Sequence, residues 1–446
     1  MSDFEIQIRR NSDAQPDAPH GVSIRANSFS LTRLLRSTSN EPDDYLEAPP
    51  SQLAFWLVDN WWRLRWECVP STGMTPEWRL AHDLANIGAF GWPRVVFWGE
   101  GKRIGIASRS DPTGVVGPVR YLTDALLFIK ADAFEQGVDK FLTTASNETH
   151  GFGSDRGALR AQIDALMFER SNPDLTEWRK LEARLGYDLD EAPEVLMEAL
   201  GELRKNFGAE AVAEAAMAVP GPNAASVLEA EIASAQKLHW QCDLARTAKE
   251  VTGVKYESGE APWLAAERTA QALRKATGLA TGPISNKQLA DLLGVRVRAL
   301  KTVEASTGRE LAYGIRLNTG RSRGEVVALS SRWSMDRRFE FSRALADAIW
   351  ARSDTLGPLT RAKTERQKFQ RAFAQSLLCP YEDLKAYVGT DTPSDGAMSA
   401  AAKNFHVSER LVRTVFVNKG IIDRSQIRRV GLDDNAEKFE ELVESS

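Results

Sequence analysis

Two consecutive apolar-periodic stretches, parted by a Gly-Pro break and closed by a second proline, constrain this chain more than any other feature. In the first, Phe339, Leu345 and Ile349 share a helical face, with Ala346 and Trp350 beside them. In the second, Phe369, Phe373, Ala374, Leu377 and Leu378 do the same. Between them Gly357-Pro358-Leu359-Thr360 reads as a stop and a restart. Pro380 ends the second helix, because proline lacks an amide donor and its ring blocks the turn before it.

The pair, Trp333 to Pro380, resembles the active-site helices of the ImmA/IrrE family of zinc metallopeptidases. There the first helix carries Arg-Phe-x-x-Ala-His-Glu-Leu-x-His, and the second ends in Phe-Ala-x-x-Leu-Leu-x-Pro. The second run is present from Phe373 to Pro380, and Arg338-Phe339 and Leu345 keep the outline of the first. The ligand positions are changed. Where the resemblance places His-Glu and the second His, this chain has Arg343-Ala344 and Asp347, and Phe369 stands where the glutamate ligand is expected. A zinc endopeptidase needs two imidazoles one helical turn apart, a third ligand and a carboxylate base. The resemblance therefore implies a kept scaffold with a replaced metal site, so no zinc and no catalysis are expected.

Arg343 and Asp347 lie four residues apart on one helical face, a spacing that permits an ion pair filling the former metal pocket, with Phe369 packing beside it. The sharper alternative is an anion site formed by Arg343 and Arg371, with Arg338 a turn and a half earlier, taking a phosphate or a peptide carboxylate. The paired reading is preferred, since buried charges must be paired. A third alternative is a protease that recruits Glu340, Asp347 or His406 as unfamiliar zinc ligands.

Composition agrees with the loss of a metal site. The five histidines (His20, His82, His150, His239, His406) never fall four apart or in a cluster, and Cys68, Cys242 and Cys379 are scattered. The three cysteines argue against a disulfide framework, no apolar run approaches a membrane span, and MSDFEIQIRR is no signal-peptide core. A cytoplasmic protein without a membrane partner is expected. The net charge of −4 conceals an asymmetry: Gly259 to Arg424 holds 27 Lys or Arg against 17 Asp or Glu. That basic stretch either faces nucleic acid or attracts the acidic remainder of the chain.

With 446 residues, two or three domains are expected. Residues 1–50 open with the alternation Phe4-Glu5-Ile6-Gln7-Ile8, a strand, followed by a partly irregular segment. Residues 51–145 read as a Trp-rich α+β domain in which Ser51 caps a helix through Arg65, a second helix runs from Pro76 to Phe90, and Val95–Trp98 and Arg103–Ile106 form a hairpin. Seven of the twelve tryptophans lie between Trp56 and Trp98. They are expected to form core; the alternative is an aromatic groove walled by Trp61, Trp62, Arg63 and His82. Leu122 to Leu142 reads as a helix, and residues 146–258 as a helical middle.

Residues 259–424 carry the ImmA/IrrE resemblance, and 425–446 form an acidic tail. Gln288 to Val295 looks like the first part of a helix-turn-helix, but Val295 to Thr302 then reads as extended, carrying Arg296 and Arg298. Strands at Leu311–Leu317 and Val326–Leu329 flank a loop with Arg321 and Arg323, and these four arginines are the candidate nucleic-acid contacts. Ala400 to Val417 resembles the family's terminal helical unit, with Ser408 as an N-cap. The fold class expected is α+β and predominantly helical, with a zincin-like C-terminal domain built around a small sheet. The function expected is non-catalytic binding or regulation in transcription control or in conflict with phage and mobile elements. A protein partner or repressor is expected, and nucleic acid is the alternative partner.

Overall fold

The computed structural model describes residues 3–9, 20–38, 41–88, 91–113, 117–147, 156–219, 221–237, 239–254, 260–301, 311–318, 324–390 and 392–428. It is an α+β protein, mostly helical, and it divides into two compact units after Ala192. No helix among the described residues is long and apolar enough to cross a membrane.

In the first unit, strands β1 (Phe4–Arg9), β2 (His20–Ala26), β3 (Phe29–Ser30), β4 (Leu34–Arg36), β5 (Pro42–Asp43) and β6 (Leu46–Ala48) precede three helices. Those are α1 (Pro50–Asp59), α2 (Trp61–Trp66) and α3 (Pro76–His82). Strands β7 (Arg94–Gly99), β8 (Arg103–Arg109), β9 (Val119–Tyr121) and β10 (Ala125–Lys130) follow, then α4 (Ala131–Asn147), α5 (Arg156–Ser171) and α6 (Pro173–Arg184). The strands form three antiparallel sheets, ordered β1-β2-β3 with β6 on β2, β10-β8-β7, and β5-β4-β9. The hairpin expected at Val95–Ile106 is present as β7–β8, with Trp98 opposite Gly105. Glycine is required at 105, because a Cβ there would lie 2.1 Å from the Trp98 ring.

Several local expectations are corrected. The helix expected from Ser51 starts one residue earlier on Pro50 and breaks at Asn60, so Ser51 caps nothing. The break lets Trp61 and Trp62 pack edge to face at 4.8 Å within the core. The helix expected to reach Phe90 stops at His82 and gives way to a 3₁₀ turn, Leu84–Asn86; Ala89 and Phe90 lie outside the described residues. Within the run from Leu122, Ala125–Lys130 is a strand paired with β8 before the helix begins, and its five apolar residues Ala125–Ile129 fit both periods.

The second unit begins with α7 (Glu194–Phe207), α8 (Ala209–Met217) and α9 (Ala224–Lys237). Strand β11 (Trp240–Cys242), α10 (Leu244–Lys249), α11 (Pro262–Ala276) and α12 (Asn286–Leu293) lead to β12 (Gly314–Asn318) and β13 (Glu325–Ala328). Then come α13 (Ser334–Trp350), β14 (Leu356–Leu359), α14 (Glu365–Leu378), α15 (Tyr381–Val388), α16 (Asp395–Phe405), α17 (Glu409–Asn418) and α18 (Ser425–Arg428). The two helices expected on either side of the Gly-Pro break are α13 and α14. The break itself is a strand, not a loop. β14 pairs antiparallel with β12 at the edge of a sheet ordered β11-β13-β12-β14. Pro358 is tolerated there because an edge strand has one side free of ladder bonds.

Val297–Leu300 is a single 3₁₀ turn and not a strand; Thr302 lies outside the described residues. Gly294, in the left-handed region at φ 66°, ends α12 ahead of it. The core of this unit gathers the inward stripes of α11, α13 and α14, with Phe341, Leu345, Phe373, Leu377 and Leu378 all fully buried. Phe373→Ala is expected to lower stability by about 3–5 kcal/mol, whereas Trp333→Ala, at a side chain 71% exposed, should stay within about 0.5 kcal/mol. Denaturant midpoints of the two variants check this contrast.

Candidate functional site

The polar centre of the second unit is the carboxylate of Asp347, which has no exposed surface. It does not pair with Arg343. Arg366 on α14 grips it with two bonds, Nε to Oδ1 at 2.7 Å and Nη2 to Oδ2 at 3.1 Å. Arg316 on β12 donates from Nε to Oδ2 at 2.7 Å, and Gln370 Nε2 donates to Oδ1 at 2.7 Å. Burial pushes this carboxyl up, but the Arg366 and Arg316 guanidiniums outweigh it and hold it below the ordinary aspartate value.

The two arginines extend the network. Arg366 also reaches Asp354 at 2.9 Å and the Leu356 carbonyl at 3.2 Å. Arg316 reaches Glu325 at 3.2 Å and the Ala351 carbonyl at 3.0 Å, so its charge sits at the C-terminal end of α13, where the helix dipole favours a cation. Gly357 makes this geometry possible, since a Cβ there would lie 1.9 Å from Asp347 Oδ2 and 2.9 Å from Arg316 Nε.

Arg343 turns away from Asp347 because two guanidiniums already fill the space around that carboxylate. It donates instead to the carbonyls of Leu359 (3.2 Å) and Thr360 (2.6 Å) and to the side-chain oxygens of Gln367 (2.6 Å) and Gln370 (3.1 Å). The Gln370 carboxamide is thus the link between Arg343 and Asp347, accepting from one and donating to the other. Gln367 accepts from the Thr360 amide and donates to Glu214 of α8 at 2.9 Å and to the Pro358 carbonyl at 2.8 Å. Burial, helped by the neighbouring Arg371 charge, pushes the Arg343 guanidinium down to about 9. It stays charged at neutral pH, stabilised by carbonyl dipoles in place of a carboxylate.

The donor set does not fit a zinc ion. Both Asp347 oxygens are taken by guanidinium and amide N–H groups, Arg343 cannot ligate, and Phe369 stacks on Phe373 at 6.2 Å with Trp350 at 4.9 Å. Glu340 is occupied by the Ser330 hydroxyl and the Ser330 and Ser331 amides, while His406 sits exposed at the end of α16. Glu340, Asp347 and His406 are therefore not brought together. Among the described residues no three His, Cys, Asp or Glu side chains converge. No family model, no curated protein and no solved structure matches the chain.

Arg338 lies apart from Arg343, holding the Ile284 carbonyl at 2.6 Å, and also donates to Asn286 at the start of α12. Arg371 is half-buried and donates to the Ala362 carbonyl at 3.0 Å. Arg296 and Arg298 are exposed on the 3₁₀ turn, with Arg298 over the Trp240 ring; Arg321 and Arg323 lie outside the described residues. Trp61, Trp62, Arg63 and His82 are buried and do not wall an open groove. The His82 ring stacks on Trp78 at 3.9 Å, donates from Nδ1 to the Phe97 carbonyl at 2.6 Å, and meets Glu67 at 2.9 Å. Glu67 accepts from Arg63 as well, which makes a buried polar cluster in the first unit.

Sequence reasoning missed Arg316, Arg366, Gln367 and Gln370. One signal was available: Arg366 and Gln370 continue the inward stripe of Phe373 and Leu377 at helical spacing. Asp347→Asn leaves two buried guanidiniums short of their carboxylate and is expected to cost about 3–5 kcal/mol. The folded-state value of Asp347 lies below the unfolded one, so its contribution is full above about pH 4 and fades as the pH falls toward the folded value. The gap between wild type and Asp347→Asn should therefore narrow in acid, as measured by urea denaturation at stepped pH.

Proposed function

We propose that this chain is a non-catalytic binding and regulatory protein whose second unit uses an ImmA/IrrE-type metallopeptidase scaffold. The observation that carries this reading is the saturation of Asp347 by Arg366, Arg316 and Gln370 at the positions where the resemblance places metal chemistry. A hydrolytic zinc site needs an open coordination position and a carboxylate free to take a proton from water. Here the Asp347 carboxylate is locked in ion pairs, Glu340 two turns earlier is taken by Ser330 and Ser331, and Phe369, where the resemblance places a third ligand, is an aromatic ring packed on Phe373.

The arrangement of helix, edge strand and helix behind a small antiparallel sheet supports the scaffold part of the reading. The regulatory setting, in transcription control or in the response to phage and mobile elements, follows from the resemblance. A scaffold of this kind keeps recognition of a protein partner, such as a repressor, after cleavage is lost.

Elemental analysis of protein purified without chelator and then incubated with excess zinc provides the test. Less than a tenth of an equivalent of zinc and an unchanged melting temperature are expected. Stoichiometric zinc that raises the melting temperature overturns the reading, because binding to the folded state alone must stabilise it.

A further inference from the structure

The strongest unassigned feature is the helical pair α16–α17. Three residues join the two helices, His406, Val407 and Ser408. His406 adopts the left-handed conformation at φ 54°, and its amide closes α16 onto the Ala402 and Lys403 carbonyls. Val407 follows it into the core, 2% exposed, among Ala401, Ala402, Phe405, Val412 and Phe416. Ser408 then caps α17 by accepting from the Leu411 amide at 3.2 Å. A helix, a tight turn containing a left-handed residue, a buried aliphatic plug and a freshly capped second helix are the parts of a helix-turn-helix. The fragment at Gln288–Val295 lacks the second helix, since only a 3₁₀ turn follows it.

The outward face of the pair differs in chemistry from the inward one. Arg413, on the inward side, takes up both acidic residues of the motif, reaching Asp395 at 2.9 Å and Glu409 at 2.6 Å. Arg410, Thr414 and Asn418 recur every four residues along α17, and Lys403 stands on α16. Lys403, Arg410 and Asn418 are exposed, and among the described residues their side chains make no hydrogen bond or ion pair. Arg413 engages the acids of the two helices and Lys419 pairs with Glu267 at 2.9 Å, so the exposed Lys403 and Arg410 leave the face cationic.

The geometry points to α17 as a DNA-recognition helix that enters the major groove of a duplex, with Lys403 on the phosphate backbone. Arg410 matches the paired acceptors of guanine, and Asn418 the donor–acceptor pair of adenine. Thr414 adds a methyl group suited to thymine. Double-stranded RNA does not suit this surface, because its deep, narrow major groove does not admit a helix. A protein partner is disfavoured because the exposed positions of α17 carry no large apolar side chain to serve as an anchor. This assignment does not depend on the absence of metal chemistry in the Asp347 network.

The experiment is selection of a binding sequence by the full-length protein from a random duplex DNA pool, followed by fluorescence anisotropy against salt. An enriched sequence is expected. Arg410→Ala and Asn418→Ala should each weaken its binding by roughly 5- to 150-fold, the range of a lost two-bond base contact. Arg410→Lys should not restore the sequence preference, since an ammonium cannot make the paired contact. Lys403→Ala should weaken all sequences alike and reduce the salt slope by about 1. The substituted side chains lie on the surface, so unchanged melting temperatures verify the fold. The proposal is overturned by the absence of enrichment and of any duplex retained at low salt. It is overturned equally by an enriched sequence that the Arg410→Ala and Asn418→Ala variants bind as well as wild type, or by equal affinity for the matching RNA duplex.

Discussion

The small sheet and the two helices α13 and α14 of the second unit are tied together by one carboxylate that water does not reach. Asp347 is bracketed by Arg366 and Arg316, and those two guanidiniums tie together elements far apart in sequence: α13, α14, the edge strand β14 and the sheet strands β12 and β13. Burying a charge is costly, and in a dry interior the cost is offset only when geometry is tight and every remaining donor finds an acceptor. That condition explains features that look unrelated. Gly357 has no side chain because the ion pair lies against it. α13 stops at Ala351, whose carbonyl receives Arg316. Gln367 and Gln370 occupy inward positions of α14 because an amide can both donate and accept, passing hydrogen bonds between Arg343, Asp347 and Glu214.

Arg343 is the less comfortable member. It shares a helix face with Asp347 yet receives no carboxylate, and its charge rests on two backbone carbonyls and two glutamine oxygens. Such an arrangement holds only if the surrounding backbone is rigid. The sheet pairing of β14 with β12 supplies that rigidity, since it fixes the residues whose carbonyls face the guanidinium.

The sequence made α13 and α14 plain, because their apolar stripes run over several turns and period outweighs local accident. The partners of Asp347 were not legible, because they come from a strand 31 residues earlier and a helix 19 residues later, and spacing arguments do not reach that far. Arg343 and Asp347 fit the four-residue rule for ion pairs, but tertiary contacts overrode it. The short elements failed for another reason. Ala125–Lys130 and Val297–Leu300 are too brief for period to separate strand, 3₁₀ turn and helix. Ser408 marked the start of α17 as an N-cap, but nothing marked His406 as the left-handed residue before it, a position more often held by glycine or asparagine.

The second unit thus presents a closed polar centre and, near its C-terminus, an open cationic helix face. The claim on which the account turns is that the centre is a structural ion network in place of a reaction site. A double-mutant cycle between Asp347 and Arg366, read by denaturant unfolding at neutral pH, tests it most directly. The account predicts a coupling of about 2–3 kcal/mol, at the upper end of what contacting residues show. A coupling below about 0.5 kcal/mol, the level of independent sites, would contradict it.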